Sequence, residues 1–210
     1  MEHYGKHAVT AVAGLEAIVL AAGSGVRFGG AKLTTPWRGR PLIDWALAAA
    51  FEAPVRAIWV VTGADPEVAW AARTFATRHG AVARLNIVQA RDHAEGVAAS
   101  LVAGLAAMPR DAAGAFVFLG DMPAVPPDIA TKLANALGGE VLACAPVFGD
   151  RRGHPVLFAS ALFDELSTLT GDRGARAVLD GLGHGLALIE ALDDGVLHDV
   201  DRPEDREVRH

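Results

Sequence analysis

Short runs of uninterrupted apolar residues alternate along this chain with longer stretches in which apolar positions recur every three or four residues. Ala17-Ile18-Val19-Leu20, Ala57 to Val61, Leu85 to Val88, Ala115 to Leu119, Val141 to Val147, Leu186 to Ile189 and Val196 to Val200 read as strands. Between them, helices are predicted over Pro41 to Ala53, Pro66 to Arg78, Gly96 to Met108, Pro126 to Leu137, Ser160 to Leu169 and Ala175 to Leu179, with another over Pro203 to Val208. Pro41 suits a first helical turn, where its missing N–H is not needed. Asp65 is placed to cap the second helix, and Gly138-Gly139 stops the fourth. Continuous apolar strands separated by amphipathic helices predict a mostly parallel sheet with helices on both faces.

In such sheets ligands bind beyond the carboxyl ends of the strands. The polar residues that follow strands therefore carry the weight: the Gly23–Lys32 loop, Thr62-Gly63, Gly120-Asp121 and Asp201. The chain has 210 residues, 51% of them apolar and 21% charged. That composition predicts an ordered single domain over residues 15–210, behind a flexible leader over 1–14. No apolar run is long enough for a membrane span, and the amino terminus shows no secretory core. The single cysteine, Cys144, leaves no disulfide framework within the chain; a cytoplasmic location is the expectation. A net charge of −6 excludes the overall basic character of a duplex nucleic-acid binder. Any phosphate must then be met by a local group of cations and backbone amides.

The segment Leu20-Ala21-Ala22-Gly23-Ser24-Gly25-Val26-Arg27-Phe28-Gly29-Gly30-Ala31-Lys32 supplies such a group. Its small residues let backbone N–H groups approach an anion. Arg27 offers a planar fork and Lys32 a mobile point charge. It is not a Walker loop, and Gly23, Gly25 and Gly29 are too widely spaced for the dinucleotide fingerprint. On composition alone it also fits a glycine-rich loop with two solvated cations. Asp121, directly after a strand, suits a hard cation such as Mg²⁺ or a simple turn aspartate. Asp201 with Glu204 also fits the start of a helix. His154 is either a loop histidine or a group that meets phosphate, and Asp172 either caps a helix or faces a substrate.

The Leu-Ala-Ala-Gly opening with Arg27 and Lys32, followed by Pro36, Gly39 and Pro41-Leu42, resembles the MobA/MocA-like nucleotidyltransferases of the molybdenum cofactor pathway. The likeness continues in order through Val60-Val61-Thr62-Gly63, Gly96 with Ser100-Leu101, Leu119 to Pro123, Gly153-His154-Pro155, Gly171 to Ala175 and Asp199 to Asp205. Gly-His-Pro and Gly-Asp-Arg-Gly-Ala look more like the cytidylyltransferase (MocA) branch. The family pattern is departed from at Gly25, Ala90 and the Val97-Ala98 pair. The resemblance implies a three-layer Rossmann-like nucleotidyltransferase fold. It also implies transfer of CMP from CTP to the molybdopterin form of the molybdenum cofactor, with release of pyrophosphate. It makes Arg27, Lys32 and Asp121 catalytic, with Leu20, Ala21, Gly23, Arg27, Lys32, Thr62 and Ser100 on the nucleotide. His154 and Asp172 are then substrate-binding, and Asp121 and Asp201 hold Mg²⁺. A molybdenum hydroxylase is the implied client. The alternatives are another base or acceptor, or an NAD(P)H-dependent oxidoreductase acting on a heterocycle within the same fold.

Overall fold

The computed structural model describes residues 13–23, 28, 30–63, 65–171 and 174–201. Its centre is a mixed sheet. In chain order the strands are β1 (Leu15–Ala21), a small hairpin of β2 (Pro36–Trp37) and β3 (Arg40–Pro41), then β4 (Ile58–Thr62), β5 (Leu85–Gln89) and β6 (Gly114–Leu119). They are followed by β7 (Ala143–Phe148), β8 (Arg151–Arg152), β9 (Val156–Ala159) and β10 (Leu186–Glu190). The helices are α1 (Leu42–Glu52), α2 (Glu67–Arg78), α3 (Val97–Ala107), α4 (Ile129–Ala136), α5 (Phe163–Ser167) and α6 (Arg176–Gly181).

The sheet runs β10-β7-β9-β6-β1-β4-β5, with β8 paired to β7. β1 is parallel to both β4 and β6, β4 to β5, and β7 to β10. Within this sheet, among the described residues, only β8 and β9 run against their neighbours. Side chains alternate across the central strands, so each strand feeds two cores. Ala17 and Val19 of β1 and Phe116 and Phe118 of β6 face α1, α2 and α4. Ile18 of β1 and Ala115 and Val117 of β6 face α3, α5 and α6. This is the three-layer architecture expected from the alternating pattern. Asp65 accepts from the Glu67 amide at 2.9 Å, ahead of α2 as anticipated.

Two expectations are corrected. β9 was not anticipated: Val156-Leu157-Phe158 is a short apolar run between Pro155 and Ser160, and periodicity does not register a run of that length. Conversely, Val196 to Val200 is no strand. A single turn of 3₁₀ helix over Asp194–Leu197 is followed by irregular chain. Val196 and Val200 are fully buried, which explains the strand-like pattern. Their hydrogen bonds go to loops instead: Val196 accepts from the His154 amide at 2.9 Å, and the Val200 amide donates to the Asp121 carbonyl at 3.1 Å. The expected helix over Pro203 to Val208 lies outside the described residues.

Candidate active site

Lys32 reaches the carboxyl edge of the sheet because a tight turn aims it there. Ala31 sits at φ 47°, and its carbonyl accepts from the amides of Thr34 and Thr35 and from both threonine hydroxyls. Leu33 is buried and anchors the turn. The Thr34 hydroxyl also lies 3.4 Å from Asp65, which ties this turn to the segment leading into α2. Asp121 follows β6, whose ladder is extended by the Gly120 amide donating to the Leu20 carbonyl at 2.9 Å. Asp201 is brought alongside by the bond between Val200 and Asp121.

These three residues, remote in sequence, meet. The Lys32 ammonium donates to Asp121 Oδ2 at 2.7 Å and to Asp201 Oδ1 at 3.0 Å. Burial works to lower the Lys32 pKa. The adjacent Asp121 charge and hydrogen bond, with those of Asp201, outweigh it, so the pKa is raised and the group stays cationic. Asp199, beside them, has its pKa raised, first by burial and then by the charges of Asp201 and Asp121. Two carboxylate oxygens that converge on one cationic nitrogen define a cation position. With oxygen donors only, the set suits Mg²⁺ or Mn²⁺. Among the described residues no group of three or more His, Cys, Asp or Glu side chains is placed to hold a metal ion. Two carboxylates are what Mg²⁺ uses when phosphate oxygens and water complete its shell.

The other anticipated residues are placed as follows. Leu20 is half-buried, Ala21 is buried at the end of β1, and Gly23 is exposed with open space where a Cβ would stand. Thr62 and Ser100 are buried. The Thr62 hydroxyl is turned into the sheet, donating to the Val88 carbonyl at 3.3 Å. Arg27 and Asp172 lie outside the described residues.

A cavity of about 970 Å³ opens beside the lysine–aspartate cluster. Its apolar floor includes Leu20, Leu119, Val117 and Phe158, and α3 contributes Val97 and Leu101. Val97, one of the departures from the family pattern, therefore faces this space, whereas Ala90 and Ala98 are buried. His154 also lines the cavity. Its amide and the neighbouring Gly153 are locked in place. A Cβ on Gly153 would stand 2.1 Å from the Val196 carbonyl oxygen, so only glycine fits. Burial lowers the His154 pKa, opposed by a backbone hydrogen bond at Val117 and by the charges of Asp121 and Asp199. His154 Nδ1 is enclosed and has no hydrogen-bond partner among the described residues. The segment leading to α6 abuts the start of α3: the Ala98 amide donates to the Gly171 carbonyl at 3.2 Å.

Sequence reasoning passed over Arg152 and Asp180. They face each other across this cavity as an ion pair. The signal available was the basic pair Arg151-Arg152 directly before Gly-His-Pro.

Residues 17–187 match the model of the MobA-like NTP transferase domain. The chain belongs to that family. Among curated MobA-like relatives, the purine catabolism protein PucB of Bacillus subtilis (strain 168) is 30% identical over 194 residues, covering 90% of this chain and 92% of its own. The nicotine blue oxidoreductase of Paenarthrobacter nicotinovorans is 29% identical over 195 residues, covering 89% and 92%. The crystal structure of Rv0371c from Mycobacterium tuberculosis H37Rv shares the fold at a TM-score of 0.73 and 26% identity, over 91% of this chain and 94% of that one. Rv0371c has also been solved in complex with manganese; that structure matches at a TM-score of 0.64 and 24% identity, over 84% and 88%. The MobA-like family and the α/β nucleotidyltransferase fold are thus as the resemblance implied. Among the described residues no helix is long and apolar enough to cross a membrane.

Proposed function

We propose that this protein is a divalent-cation-dependent nucleotidyltransferase. The reading that fits best is transfer of CMP from CTP to a phosphate of the molybdopterin form of the molybdenum cofactor, with release of pyrophosphate. The observation that carries it is the convergence of Asp121 and Asp201 on the Lys32 ammonium at the carboxyl edge of β1 and β6. Family membership and the apolar cavity beside that cluster support it.

In the reaction an acceptor phosphate oxygen forms a bond to the α-phosphorus, and the bond from that phosphorus to the bridging oxygen breaks. The obstacle is repulsion between two anions, so catalysis consists chiefly of positioning and charge stabilisation. Asp121 and Asp201 would hold Mg²⁺, which screens the negative charge of the phosphates when bound. Lys32, released from one or both carboxylates, stabilises charge building on the transferred group. Arg27 and the backbone around Gly23 grip the phosphate tail, and Leu20 and Ala21 line the nucleotide. His154, kept neutral by burial, binds on the acceptor side. A phosphate nucleophile is already deprotonated near neutral pH, so no side chain has to act as a base. Asp172 sits on the acceptor side in this reading, and a molybdenum hydroxylase is the client that receives the product.

A panel of CTP, GTP, ATP and UTP with Mg²⁺ tests the nucleotide. The preferred one at 100 times its Kd should add about 2.7 kcal/mol of stability, and pyrophosphate should appear once the acceptor is present. Pyrophosphate release with none of the four removes the proposal.

The likeness to nicotine blue oxidoreductase favours a second reading: NAD(P)H-dependent reduction of a heterocycle held in the same cavity. It predicts quenching of protein fluorescence on titration with NADPH, and no dependence of that binding on Asp201. The absence of quenching dismisses it.

A further inference from the structure

The cavity beside the lysine–aspartate cluster is apolar below and charged above. Arg151, Arg152 and Arg176 stand at its rim with Asp150 and Asp180. Three arginines around one opening stand out in a chain of net charge −6. Arg152 is carried by β8 and Asp180 by α6, so their ion pair joins opposite walls of the cavity. The two carriers are held in different ways. β8 is fixed by its pairing to β7, by the Gly153 amide bonded to the Pro146 carbonyl at 2.8 Å, and by the His154 amide on Val196. α6 is a six-residue helix held by buried Val178 and Leu179.

We propose that the Arg152–Asp180 pair is an exchangeable latch, in which Arg152 leaves Asp180 for the phosphate of an acceptor that has an apolar body and a phosphomonoester end. This rests on the reading that the cavity receives the acceptor. Three properties support the exchange. The Asp180 carboxylate is more than half exposed (56%), so water screens the pair and little holds it closed. The Arg152 guanidinium is mostly sheltered (24% exposed), so a phosphate reaching it meets a less hydrated fork that it can engage with two oxygens. The apolar floor shelters the body of the acceptor and leaves the anionic end at the rim, where Arg152 stands. Arg152 therefore selects acceptors that carry a phosphate, and Asp180 keeps the guanidinium oriented until one arrives.

The test separates this cavity from the triphosphate site by working with the full chain in a Lys32→Ala background. Inorganic phosphate is titrated at constant ionic strength and followed by the arginine Nε–H signals in NMR. Arg152→Gln should weaken phosphate binding about ten- to hundredfold. Asp180→Asn, which frees the guanidinium, should tighten it about two- to fivefold. Arg152→Lys should recover thermal stability without recovering affinity, because the fork is lost. In otherwise native protein, Arg152→Gln should raise the acceptor KM and leave the nucleotide KM in place. If Arg152→Gln and Asp180→Asn both leave phosphate affinity within twofold, or merely lower Tm together, the latch is overturned. Absence of pyrophosphate release defeats the transferase reading alone, because the phosphate titration does not depend on turnover.

Discussion

In the proposed reaction the chemistry is concentrated at one nitrogen. Lys32 is mostly sheltered from solvent and bonded to two carboxylates, so it is both the organiser of the site and its transferable charge. Lys32→Ala and Asp121→Asn should each lower turnover by about 10²- to 10³-fold, the scale on which a preformed electrostatic contact contributes to a transition state. Steady-state pyrophosphate assays on both variants measure this, and a loss below tenfold contradicts it. Cys144 is a contrasting case. It is fully buried, and burial raises its thiol pKa to about 11. A disulfide reagent at pH 8 should leave the folded protein unlabelled and modify one thiol after denaturation. At this scale Asp121 and Asp201 stand out in the sequence because each follows an apolar run, and Lys32 because it is a cation in a glycine-rich loop. Thr62 is placed less fully by the same rule. It ends β4 as expected, yet side chains at successive strand positions point to opposite faces, and strand position alone does not reveal which way a given side chain turns.

Among the elements, the short β8–β9 region does more than its length suggests. Gly153 lies between these strands, where the backbone packs directly on Val196. Gly153→Ala places a methyl group 2.1 Å from a carbonyl oxygen. It should destabilise the fold by about 1–3 kcal/mol, as overpacking does, read from the denaturant midpoint. It should also perturb acceptor binding, because Arg152 and His154 flank it. The long elements were legible: β1, β4, β5, β6, α1, α2 and α3 follow the apolar pattern to within a few residues. β9 was not, since its own run is short and one of its pairing partners, β6, is remote in sequence. The segment ending at Val200 misled for the opposite reason. Burial was correctly indicated, but irregular backbone that is held by loop carbonyls can be as apolar as a strand.

Across the whole molecule, both cores meet at the sheet, and Lys32, Asp121, Asp199 and Asp201 gather at its carboxyl edge. Stability should carry a signature of that arrangement through His154. Burial lowers its pKa in the folded state below the ordinary 6.5 of the ring. The unfolded chain therefore takes up a proton on this ring first as pH falls, and folding opposes it. The contribution of the neutral ring is complete above pH 6.5 and diminishes as pH drops below it. Melting curves between pH 7.5 and 5.5 should show Tm falling, with a shallower slope in His154→Asn. Equal slopes would show that other groups set the acid sensitivity. The order of layers was legible because alternation along the chain dictates it. The acceptor side of the site was less so, because Arg152 and Asp180 meet only through the placement of α6 against β8.

Among the described residues the last strand ends at Glu190, yet Asp201 lies farther along, brought in by the backbone bond between Val200 and Asp121 and by the Lys32 ammonium. Architecture and competence are therefore completed at different points of synthesis. A polypeptide terminated after Val200 would keep every described strand and both cores while lacking one of the two acids. It should melt cooperatively near the full-length temperature and fail to turn over, and Asp201→Ala in the intact chain should reproduce that failure. In the proposed reading position 201 would be a late checkpoint: an unfinished copy would acquire its described shape before it acquires the means to react.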